Sequence, residues 1–293
     1  MATERASTIG AEGAAVRPRS RRIAPRLLRH AVLLAFSALF SLPFYWLLSS
    51  SLKNADHLFV YPPEWIPRQI TLANYLNGLR FVPFTRFTQN SMTVALTSVV
   101  GAVLSNSLSA YGLARIDWPG RKILFAVLLG TMMIPFQVRM VPLFLIFRNL
   151  DWLDTFLPLI VPSFFGSPFL IFLLRQFFLT FPRELDDAAR IDGASEFGIF
   201  WWIVVPLAKP ALAVVALFTF IGHWEDLLGP LIYLTSREKY TVSIGLALFR
   251  GEYSTEYGPL MAASFVMILP VIVLFFLTQR TFIQGITLTG IKG

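Results

Sequence analysis

Residues 184–210 read ELDDAARIDGASEFGIFWWIVVPLAKP, a charged, helix-forming insert whose neighbours on both sides are apolar enough for lipid. Whether the chain is globular with greasy helices or a membrane protein with a polar knob turns on those neighbours. Upstream, Thr155–Leu174 carries no Lys, Arg, Asp or Glu; downstream, Pro210–Ser236 carries one acid pair, Glu225-Asp226. A membrane-crossing helix needs about 20 mostly apolar residues. Ala31–Leu52, Phe87–Ala114 and Tyr257–Gln279 are equally clean, and Ile123–Phe147 is interrupted only by Arg139. The insert therefore sits between the fourth and fifth of six expected spans.

Composition agrees. Of 293 residues 55% are hydrophobic and 14% charged, with a mean hydropathy of +0.63, against about a quarter charged in a soluble domain. There is no Cys, which excludes disulfides, thiol catalysis and cysteine-ligated metals. His30, His57 and His223 are too far apart in sequence to pair as ligands at helical spacing. The net charge of +8 could suit nucleic acid. The basic residues bracket apolar spans instead of lying beside aromatics, so the expected partner is the bilayer and not nucleic acid.

Six Arg between positions 17 and 29 precede the first span. By the bias of Lys and Arg toward the cytoplasm they hold that end inside. Alternation then places 184–210 and both termini in the cytoplasm, and 53–86, 149–154 and 237–256 outside. A cleaved signal peptide is not expected, because the first apolar run is too long and no A-x-A-like site follows it. Residues 1–25, led by a small and polar stretch over 1–16, are expected to be a disordered cytoplasmic N-terminus, and 26–293 one six-helix domain. Prolines 135, 142, 158, 162 and 168 should kink the third and fourth spans. Such kinks suit either a bundle enclosing a cavity or irregular packing alone.

Within the insert, Pro182 suits a first helical turn, and Glu184, Asp186 and Asp187 favour the positive end of the helix dipole. Arg190 is spaced to pair with Asp186 or Asp187. Gly193 offers a left-handed stop. Ser195 can cap a second helix running through Trp201 and Trp202 to a break at Pro206 and Pro210. Ala188 and Ala189 leave a flat patch that another backbone could approach. On these grounds the insert is either a cytoplasmic docking knob or a solvated connecting loop.

The run "DAARIDGA", with Ile203, Val205 and Pro206 behind it, resembles the EAA loop of ATP-binding-cassette (ABC) importer permeases, commonly E-A-A-x-x-x-G, nine residues, then I-x-L-P. Asp187 stands in the Glu position and Val205 in the Leu position. The likeness extends through "YPPEWIP" (61–67), "TLANY" (71–75), "NS" (90–91), "AYGLAR" (110–115), "WPGRK" (118–122), "MMIP" (132–135), "LLRQFF" (173–178), "IDGAS" (191–195) and the closing "GITLTGIKG". Together these resemble the second, six-span permease subunit of carbohydrate importers of the maltose and glycerol-phosphate type. The implied fold is an all-α membrane protein with six transmembrane helices, the type I ABC importer (MetI-like) permease fold.

The resemblance implies a half-pore that hydrolyses nothing in a bacterial or archaeal cytoplasmic membrane. Its partners would be a sister permease, an ABC ATPase dimer, an extracytoplasmic sugar-binding protein and a sugar. Glu184, Asp187, Ala188, Ala189, Asp192, Gly193, Ala194 and Pro206 would form the ATPase-coupling loop, within 182–210. The tail 285–293, including Gly285, Lys292 and Gly293, would reach between the ATPase subunits. The sequence lacks a G-x-x-x-x-G-K-[ST] loop, so this chain is expected to bind no cofactor, with ATP and Mg on the partner.

Glu225 lies about 22 Å along a helix from Pro210. An acid near the bilayer centre costs on the order of 2.5–3.5 kcal/mol, so it should face the bundle interior or water. "GHWEDLLGP" (222–230) resembles the family's S-W-N-D-F-L element. Two readings follow. In one, Trp224, Glu225 and Asp226 line the translocation path, the Trp offering its face to a sugar; in the other, Asp226 caps a break before Gly229-Pro230. Gln137 and Arg139 are further candidates for the path, and Arg139 could snorkel or pair with Glu225 or Asp226. A secondary transporter would show repeats, and the sequence has none. An intramembrane hydrolase would need a catalytic set that is missing. A permease for another solute, such as glycerol phosphate or a polyamine, is the nearer alternative.

Overall fold

In the computed structural model the described residues are 23–250 and 255–289, and the chain divides into two units, Met1–Trp46 and Leu47–Gly293. Most of the expected N-terminal disordered stretch, residues 1–22, lies outside the described residues. Helix α1, Ile23–Ser51, begins inside its last few positions and supplies the described part of the first unit. From Leu27 to Phe44 its apolar side chains are exposed, as lipid-facing positions would be.

The second unit is built on α3, Phe84–Ala114, a single helix of 31 residues. Among the described residues four helices are long and apolar enough to cross a membrane: Leu27–Ser51, Phe84–Ala114, Leu157–Phe178 and Tyr257–Gln279. Two more spans exist only as bent pairs. The expected third span is broken into α4, Arg121–Thr131, and α5, Phe136–Asn149, bent by 99°. Pro135 is the cause: it stands extended at the head of α5, and a residue before proline is pushed out of the helical region. Pro142, by contrast, sits inside α5 without ending it.

The fourth span is also interrupted. Short α6, Leu157–Ile160, runs into a 3-10 turn over Val161–Phe165; the chain then turns at Gly166 and resumes as α7, Pro168–Phe178. Gly166 has φ +83°, open to glycine at little cost. The freed backbone groups find partners on α3. Ser105 Oγ donates to the Ser163 carbonyl at 2.9 Å, and Asn106 Oδ1 accepts the Ser167 N–H at 2.7 Å. Backbone polar groups at membrane depth must be satisfied inside the protein, and the polar positions of α3 do this along its length. At the opposite end of α3, Ser91 Oγ accepts from the Val242 N–H at 2.9 Å, and Asn90 donates to the carbonyls of Glu238 and Tyr240.

The insert forms α8, Glu184–Ile191, then α9, Glu196–Ile199, a π turn over Phe200–Val204 and α10, Val205–Leu207. Helix α11, Lys209–Glu225, follows with a bend of 81°. The break expected at Pro206 and Pro210 falls between the two prolines, at Ala208. Proline cannot donate to the carbonyl four residues back and crowds it, and the wider π turn ahead of Pro206 lets the helix continue to a break at Ala208. The fifth span is shorter than expected: α11 ends at Glu225, and α12, Leu228–Tyr233, starts after an extended Asp226. Helices α2, Ala73–Phe81, α13, Val242–Ala247, and α14, Tyr257–Thr289, complete the unit.

Candidate coupling site

Helix α8 displays the sequence features expected of a knob, with one rearrangement. Its first turn carries Glu184, Asp186 and Asp187, the carboxylates a helix N-terminus favours. Pro182 lies two residues ahead of the helix and not in its first turn. Gly193 has φ +83° and ends the helix, and the Ala194 N–H reaches back to the Ala189 carbonyl at 2.9 Å, a Schellman closure. Ser195 caps α9 by accepting the Gly198 N–H at 3.2 Å.

The two alanines part company. Ala188 is exposed, whereas Ala189 is buried among Tyr111, Leu113, Leu174 and Phe178. The flat patch expected from the pair is therefore halved. In its place the outward face of α8 carries Leu185, Ala188 and Ile191, with Ile191 87% exposed, flanked by Glu184, Asp187 and Asp192. Spacings of three keep these apolar side chains together. Gly193 has nothing within 4 Å of where a Cβ would stand, and Ala194 and Pro206 are exposed.

Asp186 provides the link that sequence reading missed. Its expected local partner, Arg190, instead binds Asp187 at 2.9 Å and Glu196 at 2.8 Å. Asp186 turns inward to Arg115 at the end of α3, Nε to Oδ2 2.7 Å, with both side chains at most 4% exposed. The same guanidinium donates to the carbonyls of Phe178, at 3.3 Å, Phe181, at 2.8 Å, and Pro182, at 2.9 Å. One cation thus closes the C-terminal end of α7, neutralises the acid of α8 and ties both to α3. Its rigid fork of donors is suited to this task. In the sequence Arg115 stands out only as the last residue of the AYGLAR stretch. The available signal was that Asp186 and Ala189, three apart, share the face that must turn inward.

Around this pair lie weaker ties. The Tyr111 hydroxyl donates to Glu196 Oε2 at 2.8 Å. Asp117 bridges Arg183 at 3.0 Å and Arg121 at 2.5 Å, and these cations, Arg183 first, hold its carboxyl below the usual range. Arg190 is pushed above its ordinary value by its bonds to Glu196 and then Asp187.

The residues expected on a translocation path do not gather. Gln137 and Arg139 are exposed on α5, and Arg139 makes no ion pair with Glu225 or Asp226 among the described residues. Trp224 is 1% exposed, stacks on Phe220 at 5.6 Å and donates to the Met267 carbonyl of α14 at 3.0 Å. Its face is not offered to a solute. Glu225 is exposed at the end of α11. Asp226 is the cap of the break, its Oδ1 accepting the Gly229 N–H at 3.1 Å. Gly285 falls within the backbone of α14, while Lys292 and Gly293 lie outside the described residues. Among the described residues no cluster of three His, Asp or Glu is placed to hold a metal.

Comparison with known proteins agrees with this architecture. The profile of the family described as the binding-protein-dependent transport system inner membrane component matches residues 99–286. An arabinooligosaccharides transport system permease protein of Bacillus subtilis is 37% identical over 262 residues, 88% of this chain and 92% of that protein. An sn-glycerol-3-phosphate transport system permease protein of Escherichia coli is 33% identical over 88% of this chain and 94% of its own length. A crystal structure of a bacterial ABC transporter that imports the acidic polysaccharide alginate aligns with a TM-score of 0.77 and 25% identity, covering 91% of this chain and 99% of that one. With the broken spans, the EAA-like α8 and these likenesses together, the chain belongs to the inner-membrane components of binding-protein-dependent transport systems.

Proposed function

We propose that this chain is the permease subunit of an ATP-driven importer for a sugar or oligosaccharide, forming half of the pore and taking the ATPase stroke through α8. The observation that carries the reading is the Arg115–Asp186 pair. An exposed helix that only connected two spans would have no need of a buried cation, whereas one that is pushed must move α3 with it. On this reading α8 lies on the cytoplasmic side, and Leu185, Ala188 and Ile191 enter a cleft of an ATPase subunit rimmed for Glu184, Asp187 and Asp192. Gly193 and Ala194 allow close approach, and Pro206 sits where the knob passes into α11.

The tail from Gly285 through Lys292 and Gly293 is assigned to the space between two ATPase subunits, which hold ATP and Mg in place of this chain. A sister permease supplies the other half of the pore, and an extracytoplasmic binding protein delivers the sugar. Sugar is favoured over other solutes because the arabinooligosaccharides permease is the more similar of the two relatives, 37% against 33% identical over equal shares of this chain.

Two measurements test this. Ile191→Glu changes a side chain that is already exposed, so it should leave the fold intact while releasing the ATPase subunit or lowering binding-protein-stimulated hydrolysis at least tenfold. Undiminished co-purification and turnover would refute the coupling assignment. Thermal-shift screening of the cognate binding protein against neutral saccharides and anionic solutes checks the substrate class.

A further inference from the structure

At the break between α6 and α7 lies an open-sided cavity of about 320 Å³ bounded by α3, α7 and α11. It is distinct from the coupling site, and it lies within the about 300–1,000 Å³ typical of small-molecule sites. Its polar wall is Asn106, Ser163, Ser167, Thr219, His223 and Asp226. On α11 the positions 219, 222 and 223 share one helical face, Asp226 joins them from the extended residue just past the helix end, and nothing stands within 4 Å of where a Cβ on Gly222 would be. Counted from Lys209, these positions lie about 15–25 Å along the helix, inside a hydrocarbon core ~30 Å thick. Irregular backbone at such depth survives only where protein buries it or a watery cavity meets it.

The groups on this wall are not all used within the chain. Asn106 is spent on the break, accepting from the Ser167 N–H and donating to the Ala102 carbonyl at 2.5 Å. Ser163 Oγ and His223 Nε2 share one hydrogen bond at 3.1 Å. Thr219 is 8% exposed, and its buried hydroxyl has no partner, an uncommon state for such a group. Asp226 uses Oδ1 for the Gly229 N–H. The wall contains hydroxyls, an imidazole and one carboxylate, but neither Lys nor Arg. That set can exchange hydrogen bonds with a polyhydroxyl solute, while the unopposed carboxylate repels an anion.

We infer that this cavity is a subsite for a neutral saccharide crossing the membrane, met by Ser163, Thr219, His223 and the carboxylate of Asp226. The inference rests on the sugar-importer reading and narrows it to neutral cargo.

Because the chain has no cysteine, Thr219→Cys places one thiol on the wall. The complex with its native partner subunits is reconstituted in vesicles, and labelling of that thiol by a small cationic thiosulfonate is followed by mass spectrometry during ATP turnover. The solutes tried are arabinotriose, maltotriose and diacetylchitobiose as neutral members, and sn-glycerol 3-phosphate and an alginate trisaccharide as anionic ones. A neutral saccharide that is imported should slow labelling at least fivefold, with no slowing at a Trp202→Cys control on the exposed insert. Ser163→Cys gives the same reading should Thr219→Cys fail to assemble. Import of an anionic member alone overturns the neutral assignment. Import of a neutral member without protection at either wall position overturns the cavity and leaves the importer reading standing. If the unmodified complex imports none of the saccharides, the sugar reading falls and the subsite falls with it.

Discussion

The two ends of α3 are fastened in opposite ways. At the α8 end a buried cation, Arg115, meets a buried acid, Asp186, and the pair is shut away from water. Near the other end the clamp is Asp154, which is partly exposed. Its Oδ1 accepts the N–H groups of Thr235 and Ser236, at 3.0 and 2.8 Å, and its Oδ2 accepts the Ser236 hydroxyl and pairs with Lys239 at 2.9 Å. The same loop is held by Asn90 and Ser91 of α3. A buried pair strongly penalises loss of one partner, whereas a wet clamp built of several modest bonds can be weakened in steps. Under the proposed coupling role, the α8 end would transmit force without slack and the opposite end would yield.

Breaking the buried end should have the largest effect. Arg115→Met leaves Asp186 uncompensated and strips three carbonyls of their donor, and should cost about 3–5 kcal/mol, seen as a fall in the melting temperature of the purified complex and loss of transport. The double change Arg115→Met with Asp186→Leu should recover much of the stability but not the coupling of hydrolysis to uptake. Full coupling in the double variant would show that the charge pair is dispensable for the stroke.

At the wet end, Asp154→Asn removes the pairing with Lys239 and should cost roughly 1–3 kcal/mol. It also carries a pH signature. Hydrogen bonds from the Ser236 hydroxyl and N–H, then Lys239, hold the Asp154 carboxyl well below its ordinary value. With the folded value below the unfolded one, its stabilisation is complete above an unfolded pKa of about 3.9 and is lost as pH falls from there through the folded value. Acid melting curves of the Asn variant should be flatter over that range than those of the unaltered protein. Tyr111→Phe is expected to be milder, about 0.5–1.5 kcal/mol, because Arg190 still holds Glu196. Arg183→Gln should be mildest: its partner Asp117 is exposed, and thermal melting of the complex should not register the change.

Much of the fold and of α8 was legible in the sequence. Six apolar stretches, the acidic first turn of α8, the left-handed Gly193 and the Ser195 cap all depend on residues close in sequence, and local rules govern them. The buried partner of Asp186 was not legible, because Arg115 stands 71 positions away and three acids of one helical turn look alike until one is known to face inward. Trp224 misled for a related reason. An aromatic beside two acids resembles a sugar platform, yet its neighbours on α14 set its direction. The 99° bend in the third span was foreshadowed by Pro135. Its size was not, since Pro142 in the same stretch leaves α5 intact.

The length of α3 has a mechanical consequence. Thirty-one helical residues make a rod about 46 Å long at 1.5 Å per residue. Tilting such a rod by ~5° about its α8 end sweeps the far end through ~4 Å, more than the reach of a hydrogen bond. If α8 takes the stroke as proposed, small movements there would be geared up into displacements that the bonds of Asn90 and Ser91 to the 238–242 loop could not follow without letting go.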